Sequence, residues 1–297
     1  MDETPKPITD VALIFEGGGM RASYTSAVVK KLVELGIDFP LVAGVSAGAS
    51  NSVNYVSKDG ERAKRSFVDF AEDPEFGNWL TFLQGKGYFN SKHIYEETAA
   101  PDQILPFNFE AFSANPAELR IGAFDAESGG EMVWSKKAGD MATLSDLMPR
   151  VRASSTMPFL MPMVDLDGRK YVDGALGPNG GIALDFAQSA GYEKFFVVLT
   201  RPRSYVKEPN KAERFFRWHF RRYPAVAQAL ATRHSHYNTT REELSDLESS
   251  GQAFVFYPDD MKVSNSTSKV AELQESFDAG WAQAQRDYPK WLEFLGV

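Results

Sequence analysis

The chain opens with two apolar runs that each stop at a glycine-bearing turn and lead into helical sequence, and this repetition limits the folds open to it. Val11 to Phe15 runs into Glu16-Gly17-Gly18-Gly19. A helix is predicted from about Arg21 to Leu35, with Val28, Leu32 and Leu35 as its apolar stripe and Gly36 as its stop. Leu41, Val42 and Ala43 form a second strand ending at Gly44-Val45-Ser46-Ala47-Gly48, and Ala47 to Val56 begins a second helix. Such alternation predicts an α/β fold, a three-layer α/β/α arrangement with a mainly parallel central sheet covered on both faces. With 297 residues and 43% hydrophobic content, the chain has apolar mass for one large domain with an addition.

Further along, residues 58–116 scatter aromatics and prolines, which predicts short helices and loops suited to covering a substrate. Leu119 to Phe124 and Glu131 to Trp134 read as paired strands around Ser128-Gly129-Gly130, and Met163 to Leu166 with Arg169 to Val172 as a hairpin turning at Asp167-Gly168. Phe195 to Leu199 and Phe254 to Tyr257 are late core strands, and helical sequence runs from about Ser268. We divide the chain into a core, residues 1–205, and an extension, residues 206–297, packed on it.

Composition excludes several classes of function. There is no cysteine, so disulfide and thiolate chemistry are absent. The N-terminal MDETPKPITD is acidic and proline-containing where a signal peptide is basic and then apolar, and no apolar run approaches the ~20 residues that span a bilayer. A cytoplasmic location is the default expectation. A net charge of −8 argues against nucleic acid as a partner, since phosphate contacts need clustered Lys and Arg.

Gly44-Val45-Ser46-Ala47-Gly48 has the form of a nucleophile elbow, a sharp strand-to-helix turn that exposes one side chain. Gly44 and Gly48 then have a steric role, because a serine in a strained backbone region brings its neighbours against the chain. The earlier glycines admit two readings. Gly17, Gly19 and Ala22 match a dinucleotide-binding pattern, but that pattern wants an acidic residue closing the second strand, and Asp38 precedes it. Alternatively, Gly17, Gly18 and Gly19 offer a concave nest of N–H groups suited to a developing oxyanion, beside Ser46 at the carboxyl ends of adjacent strands.

Ser46 still requires a base. His93, His219, His234 and His236 all lie in settings better explained by packing or surface exposure. Asp173 ends the strand RKYV and precedes Gly174-Ala175, so its short side chain is rigidly aimed; turn chemistry is the plainer explanation of the same residue.

Taken together, Gly17-Gly18-Gly19-Met20-Arg21, Gly44-Val45-Ser46-Ala47-Gly48, Ala153-Ser154-Ser155-Thr156-Met157-Pro158 and Asp173-Gly174-Ala175 resemble, in order and setting, the patatin-like phospholipases. The resemblance spans about residues 10–205, and YEKFFVVLTRP with the C-terminal extension is similar to a bacterial branch of patatin-like esterases. It implies a lipid acyl hydrolase with a Ser-Asp dyad and neither metal nor cofactor. Ser46 would be the nucleophile, Asp173 the base and Gly17 to Gly19 the oxyanion hole, with Arg21 fixing the glycine loop or its anion. Two departures touch no reacting group: Ala175 stands where the family commonly has glycine, and so does Ala22. An ordinary aspartate, pKa ~3.9, is a poor base for a hydroxyl, so desolvation has to raise it. An acyltransferase or small-ester hydrolase with the same dyad, or a noncatalytic lipid- or nucleotide-binding module, are the other readings.

Residues 201–224 reverse the local charge, with eight Lys and Arg against Glu208 and Glu213. Wound as a helix from Ala212, Phe216, Phe220 and Tyr223 share one side and Arg214, Arg217 and Arg221 the other. Docking of the aromatic side on the core explains this pattern more simply; transient contact with an acyl-lipid membrane surface is the alternative.

Overall fold

The computed structural model describes residues 7–297. Residues 1–6, the start of the stretch read as unlike a signal peptide, lie outside the described residues. β1 (Val11–Phe15), α1 (Ala22–Glu34), β2 (Leu41–Val45) and α2 (Ala47–Val56) follow the expected alternation. The short helices α3 (Gly60–Phe67), α4 (Trp79–Leu83) and α5 (Phe109–Ala114) occupy the irregular region. β3 (Glu118–Asp125) and β4 (Glu131–Ser135) form an antiparallel pair, followed by α6 (Leu144–Ser154) and the hairpin of β5 (Val164–Leu166) and β6 (Arg169–Asp173). That hairpin turns at Asp167 and Gly168 with φ of 54° and 77°, the mirror-image turn that an Asp-Gly pair favours. α7 (Leu184–Gln188), β7 (Lys194–Val198), α8 (Glu213–His219), α9 (Pro224–Ser249), β8 (Ala253–Phe256) and α10 (Val270–Leu295) complete the chain.

One sheet runs in the order β5-β6-β3-β2-β1-β7-β8, with β4 also on β3. From β3 to β8 every pairing is parallel; the antiparallel pairs are confined to the β3 end. Every residue of β1 and β2 is buried, as central parallel strands require, and alternate β1 side chains enter different layers. Leu13 and Phe15 pack with Val28 and Leu32 of α1, Val53 of α2 and Trp291 of α10. Ala12 and Ile14 face Leu184 and Phe186 of α7 with Tyr237 and Leu244 of α9. Helices therefore cover both faces, and both opening turns lie at the carboxyl end of the parallel strands.

Two elements beyond residue 205 differ from the sequence expectation. The helix from Ala212 stops at His219, with Phe220 turning at φ −94°, ψ 32°, because Pro224 starts a new 26-residue helix and a proline restricts the residue before it. That helix, α9, was not anticipated as one unit. Its buried positions mix Val226, Ala227 and Leu244 with Tyr237 and Thr240, which leaves a weak apolar period.

Trp291 is fully buried and meets Phe196 and Phe256 edge-on, tying α10 to β7 and β8. Trp291→Ala should cost about 3–5 kcal/mol in denaturant unfolding and lower one shared transition. A separate early transition for the C-terminal helix would show that it folds apart from the sheet.

Candidate active site

At the β2–α2 junction Ser46 has φ 56° and ψ −133°, a conformation rarely taken by a residue with a side chain. The neighbouring glycines make it attainable. A Cβ at Gly48 would lie 2.1 Å from the Phe15 carbonyl oxygen, and one at Gly44 would lie 2.5 Å from that of Gly48. The Ser46 amide donates to Ser154 Oγ at 2.9 Å, so α6 holds the elbow from below.

Asp173 arrives from the antiparallel side of the sheet, where β6 pairs with β3 and Asp173 is opposite Ala123. Gly174 lets the chain pass: a Cβ there would lie 2.3 Å from the Gly122 carbonyl oxygen. Ser46 Oγ donates to Asp173 Oδ2 at 2.7 Å, and the Ala175 amide donates to Asp173 Oδ1 at 2.9 Å. Burial pushes the Asp173 carboxyl above the ordinary range, against the opposing pull of the Arg233 charge, the Ala175 amide and the Ser46 hydroxyl.

The glycine turn divides its labour. Gly17's amide donates to the Gly181 carbonyl at 2.9 Å, and a Cβ on Gly17 would meet Ser46 Cβ at 2.9 Å, so this glycine provides close approach and its N–H is already engaged. Met20's amide is likewise engaged, by the Asn265 carbonyl at 3.1 Å. The amides of Gly18 and Gly19 donate to no group among the described residues. Gly19 has φ 55° and a Cβ there would strike the Asn265 carbonyl oxygen. Arg21 is buried, with Nε 3.5 Å from Thr200 Oγ1.

Ser46 stands between two concavities. One is apolar, walled by Phe67, Phe70, Phe76, Phe89 and Leu105 from residues 58–116 and by Met148 from α6. The other is more polar and includes Arg21, Asp173, Asn210 and Arg233. Among the described residues no cluster of His, Asp or Glu suited to a metal is present.

The sequence model of the patatin-like phospholipase family matches residues 13–185, more than half of the chain. The chain belongs to the patatin-like phospholipase family. This patatin-like chain also matches a domain of unknown function (DUF6363) over residues 223–296. It is 26% identical over 217 residues to the uncharacterized protein YjjU of Escherichia coli (strain K12), covering 70% of this chain and 57% of that protein, so it spans under two thirds of that relative's length. The crystal structure of VipD from Legionella pneumophila aligns with a TM-score of 0.49 at 10% identity, over 93% of this chain and 66% of that one.

None of the four histidines of the patatin-like chain hydrogen-bonds Ser46 or Asp173. His93 faces Asp73 and Glu97, each at 3.2 Å; His219 lies among Phe159, Phe215 and Phe220; His234 Nδ1 is 3.0 Å from the Ala231 carbonyl oxygen; and His236 Nδ1 is buried without a partner among the described residues.

Sequence reasoning missed three contributors. Asn265 sits in a loop over two hundred residues from the glycine turn, with no local pattern to mark it. Arg233 donates through Nε to the carbonyls of Ala175 at 3.0 Å and Gly180 at 3.3 Å, bracing the segment after Asp173. The third is a strut of side chains behind the glycine turn. Asn179 Nδ2 donates to Glu131 Oε1 at 2.8 Å and Asp185 Oδ1 at 3.2 Å, while Asn179 Oδ1 accepts from the Gly181 amide at 2.9 Å. Burial first, then the Asp185 carboxylate, push Glu131 up to about 8; burial raises Asp185 as well.

The fold thus holds a proton on this pair that the unfolded chain releases near pH ~4.3. The pair's contribution to stability falls as pH rises from there to about 8 and is flat above. Glu131→Gln should match the parent protein near the lower limit and melt progressively higher than it towards the upper one. A melting difference that does not change with pH would contradict the shared proton.

Proposed function

We propose that the protein is a serine-dependent lipid acyl hydrolase, of phospholipase A or lysophospholipase type, in which Ser46 is the nucleophile and Asp173 the base. The observation that carries this reading is the 2.7 Å hydrogen bond from Ser46 Oγ to Asp173 Oδ2, made where an apolar concavity meets a polar one. Ser46 Oγ attacks the ester carbonyl carbon while its proton passes to Asp173 Oδ2. Negative charge on the carbonyl oxygen is met by the amides of Gly18 and Gly19 and by the N-terminal end of α2. Collapse of this intermediate breaks the bond to the leaving oxygen, which takes the proton from Asp173. Water, deprotonated by the same carboxylate, then attacks the acyl carbon, and the acid leaves as the bond to Ser46 Oγ breaks and Asp173 returns the proton to that oxygen.

Within this reading Gly17, Gly44 and Gly48 supply space, Arg21 braces the glycine loop, and residues 206–297 form an extension that completes the site. Asn265 supports that last assignment, because it caps the Met20 amide from outside residues 1–205. An alcohol in place of water would give acyl transfer by the same steps.

Ser46→Ala and Asp173→Asn should each reduce ester hydrolysis by on the order of 10⁴-fold, because the two groups act as a unit. A fluorophosphonate should label the parent protein at Ser46. Retained turnover in either folded variant would contradict the dyad, and a Ser46 that is not labelled in the parent protein would favour a noncatalytic binding module.

Access to lipid at a surface is the second element of the proposal. Among the described residues no helix is long and apolar enough to cross a membrane. On α8, Phe216 is buried with Phe220 against Val172 and Leu176, which supports the docked reading of the aromatic side; Trp218 is 64% exposed. On α4, Trp79 is 71% and Leu83 80% exposed. Both helices border one concavity, through Phe82 and through His219 and Phe220. Anionic vesicles should bind the protein, and Trp79→Ser with Leu83→Ser should weaken that binding several-fold without changing hydrolysis of a soluble short ester. Equal binding of the variant and the parent protein would contradict this rim as the lipid contact.

A further inference from the structure

The polar concavity beside Ser46 carries an imbalance of charge that ester hydrolysis alone does not call for. Arg21 and Arg233 form part of its wall, together with Asn210. Arg201 stands close enough that its charge acts on Arg21, and the charges of Arg233, Arg21 and Arg201 all act on Lys207. Facing these four cations are the Glu16 carboxylate, the Asp173 carboxyl and the Tyr237 phenol. Glu16 is committed elsewhere, accepting the Thr200 amide, and Asp173 accepts from Ser46 and Ala175. None of the four cations makes a salt bridge among the described residues.

The donors of the two wall arginines are also incompletely used. Arg21 Nε reaches Thr200 Oγ1, and Arg233 Nε reaches the carbonyls of Ala175 and Gly180. The terminal Nη groups of both donate to no protein acceptor among the described residues. Burial and the Arg201 charge hold Arg21 down at about 10, and burial with the Arg233 and Arg21 charges holds Lys207 down at about 8. Cations gathered at such cost, with planar donors left over, are what a phosphate needs for charge-assisted hydrogen bonds.

The two concavities share Gly19, Ser46, Met157 and Asn265, so a substrate bound across Ser46 places its acyl chain on the aromatic side and its leaving alcohol on the cationic side. We propose that this second concavity is a subsite for a phosphate carried on the leaving alcohol, which makes acylglycerol phosphates, lysophospholipids with an anionic head, the preferred substrate class. The inference rests on Ser46 as nucleophile and adds a selectivity that no motif of the sequence contains. Three of the four cations, Arg201, Lys207 and Arg233, lie outside residues 13–185, the span matched by the family.

The test compares monomeric 1-acyl-sn-glycerol 3-phosphate with the 1-acylglycerol of the same short chain, below their aggregation limits. For the parent protein kcat/KM should favour the phosphate by on the order of tenfold or more, and Lys207→Met and Arg201→Gln should each reduce that ratio several-fold. The ratio is the readout because cations that served only the oxyanion would lower both substrates together and leave it unchanged, which would overturn the subsite. In parallel, sn-glycerol 3-phosphate titrated into Ser46→Ala should bind where glycerol does not, and more tightly than inorganic phosphate. Inorganic phosphate binding as tightly as sn-glycerol 3-phosphate, with a substrate ratio near one, would mark a free-anion site and overturn the leaving-group assignment. Fluorophosphonate labelling of the same preparations separates the two failures: a labelled Ser46 with a ratio near one removes the subsite alone, whereas an unlabelled Ser46 removes the hydrolase reading itself.

Discussion

The backbone of Ser46 sets the terms for everything around it. Holding a residue with a side chain at φ 56° costs roughly 1–3 kcal/mol, and the cost is met only if the surroundings leave no relaxed alternative. Gly48 lies against the carbonyl of Phe15, so the second helix can start only where the first strand ends. Gly17 lies against Ser46 itself, and its amide is fastened to Gly181. The strand pair, the glycine turn and the segment after Asp173 are therefore fixed relative to one another by contacts too close to admit a methyl group. This is why a 2.7 Å hydrogen bond can join residues 127 positions apart in the chain.

What was legible in the sequence follows from how local each signal is. β1, α1, β2 and α2 occur where the apolar runs and glycines place them, because buried parallel strands and a glycine-stopped helix are written in consecutive residues. The Asp167-Gly168 hairpin is legible for the same reason. α6 was not anticipated: Pro149 lies inside it, and its start depends on the reciprocal capping of Thr143 and Asp146. Ser46 and Asp173 could be singled out from their glycine settings and from family resemblance. Asn265, Arg233 and the Asn179 strut could not, since each acts across the fold on a backbone group that any sequence would present.

The extension accordingly does more than cover the sheet. Trp291 closes the face formed by β7 and β8, Asn265 occupies the Met20 amide and crowds Gly19, and Arg233 of α9 braces the segment that follows Asp173. The amides of Gly18 and Gly19, which the proposed mechanism assigns to an incoming oxygen, stand beside a Met20 amide already engaged by Asn265. A truncation at residue 205 would remove a wall of the polar concavity, and Asn265 from the apolar one, along with α8 to α10.

The central claim is that a buried carboxyl, with no histidine, takes the proton of Ser46. The most direct measurement is the rate of Ser46 phosphonylation by a fluorophosphonate as a function of pH, in the parent protein and in a variant with His93, His219, His234 and His236 all replaced by Gln. The account predicts that the rate rises through an apparent pKa above the ordinary aspartate value, because burial raises Asp173, and that the profile is the same in both proteins. An inflection near the imidazole value of ~6.5 that vanishes in the histidine-free variant would contradict it.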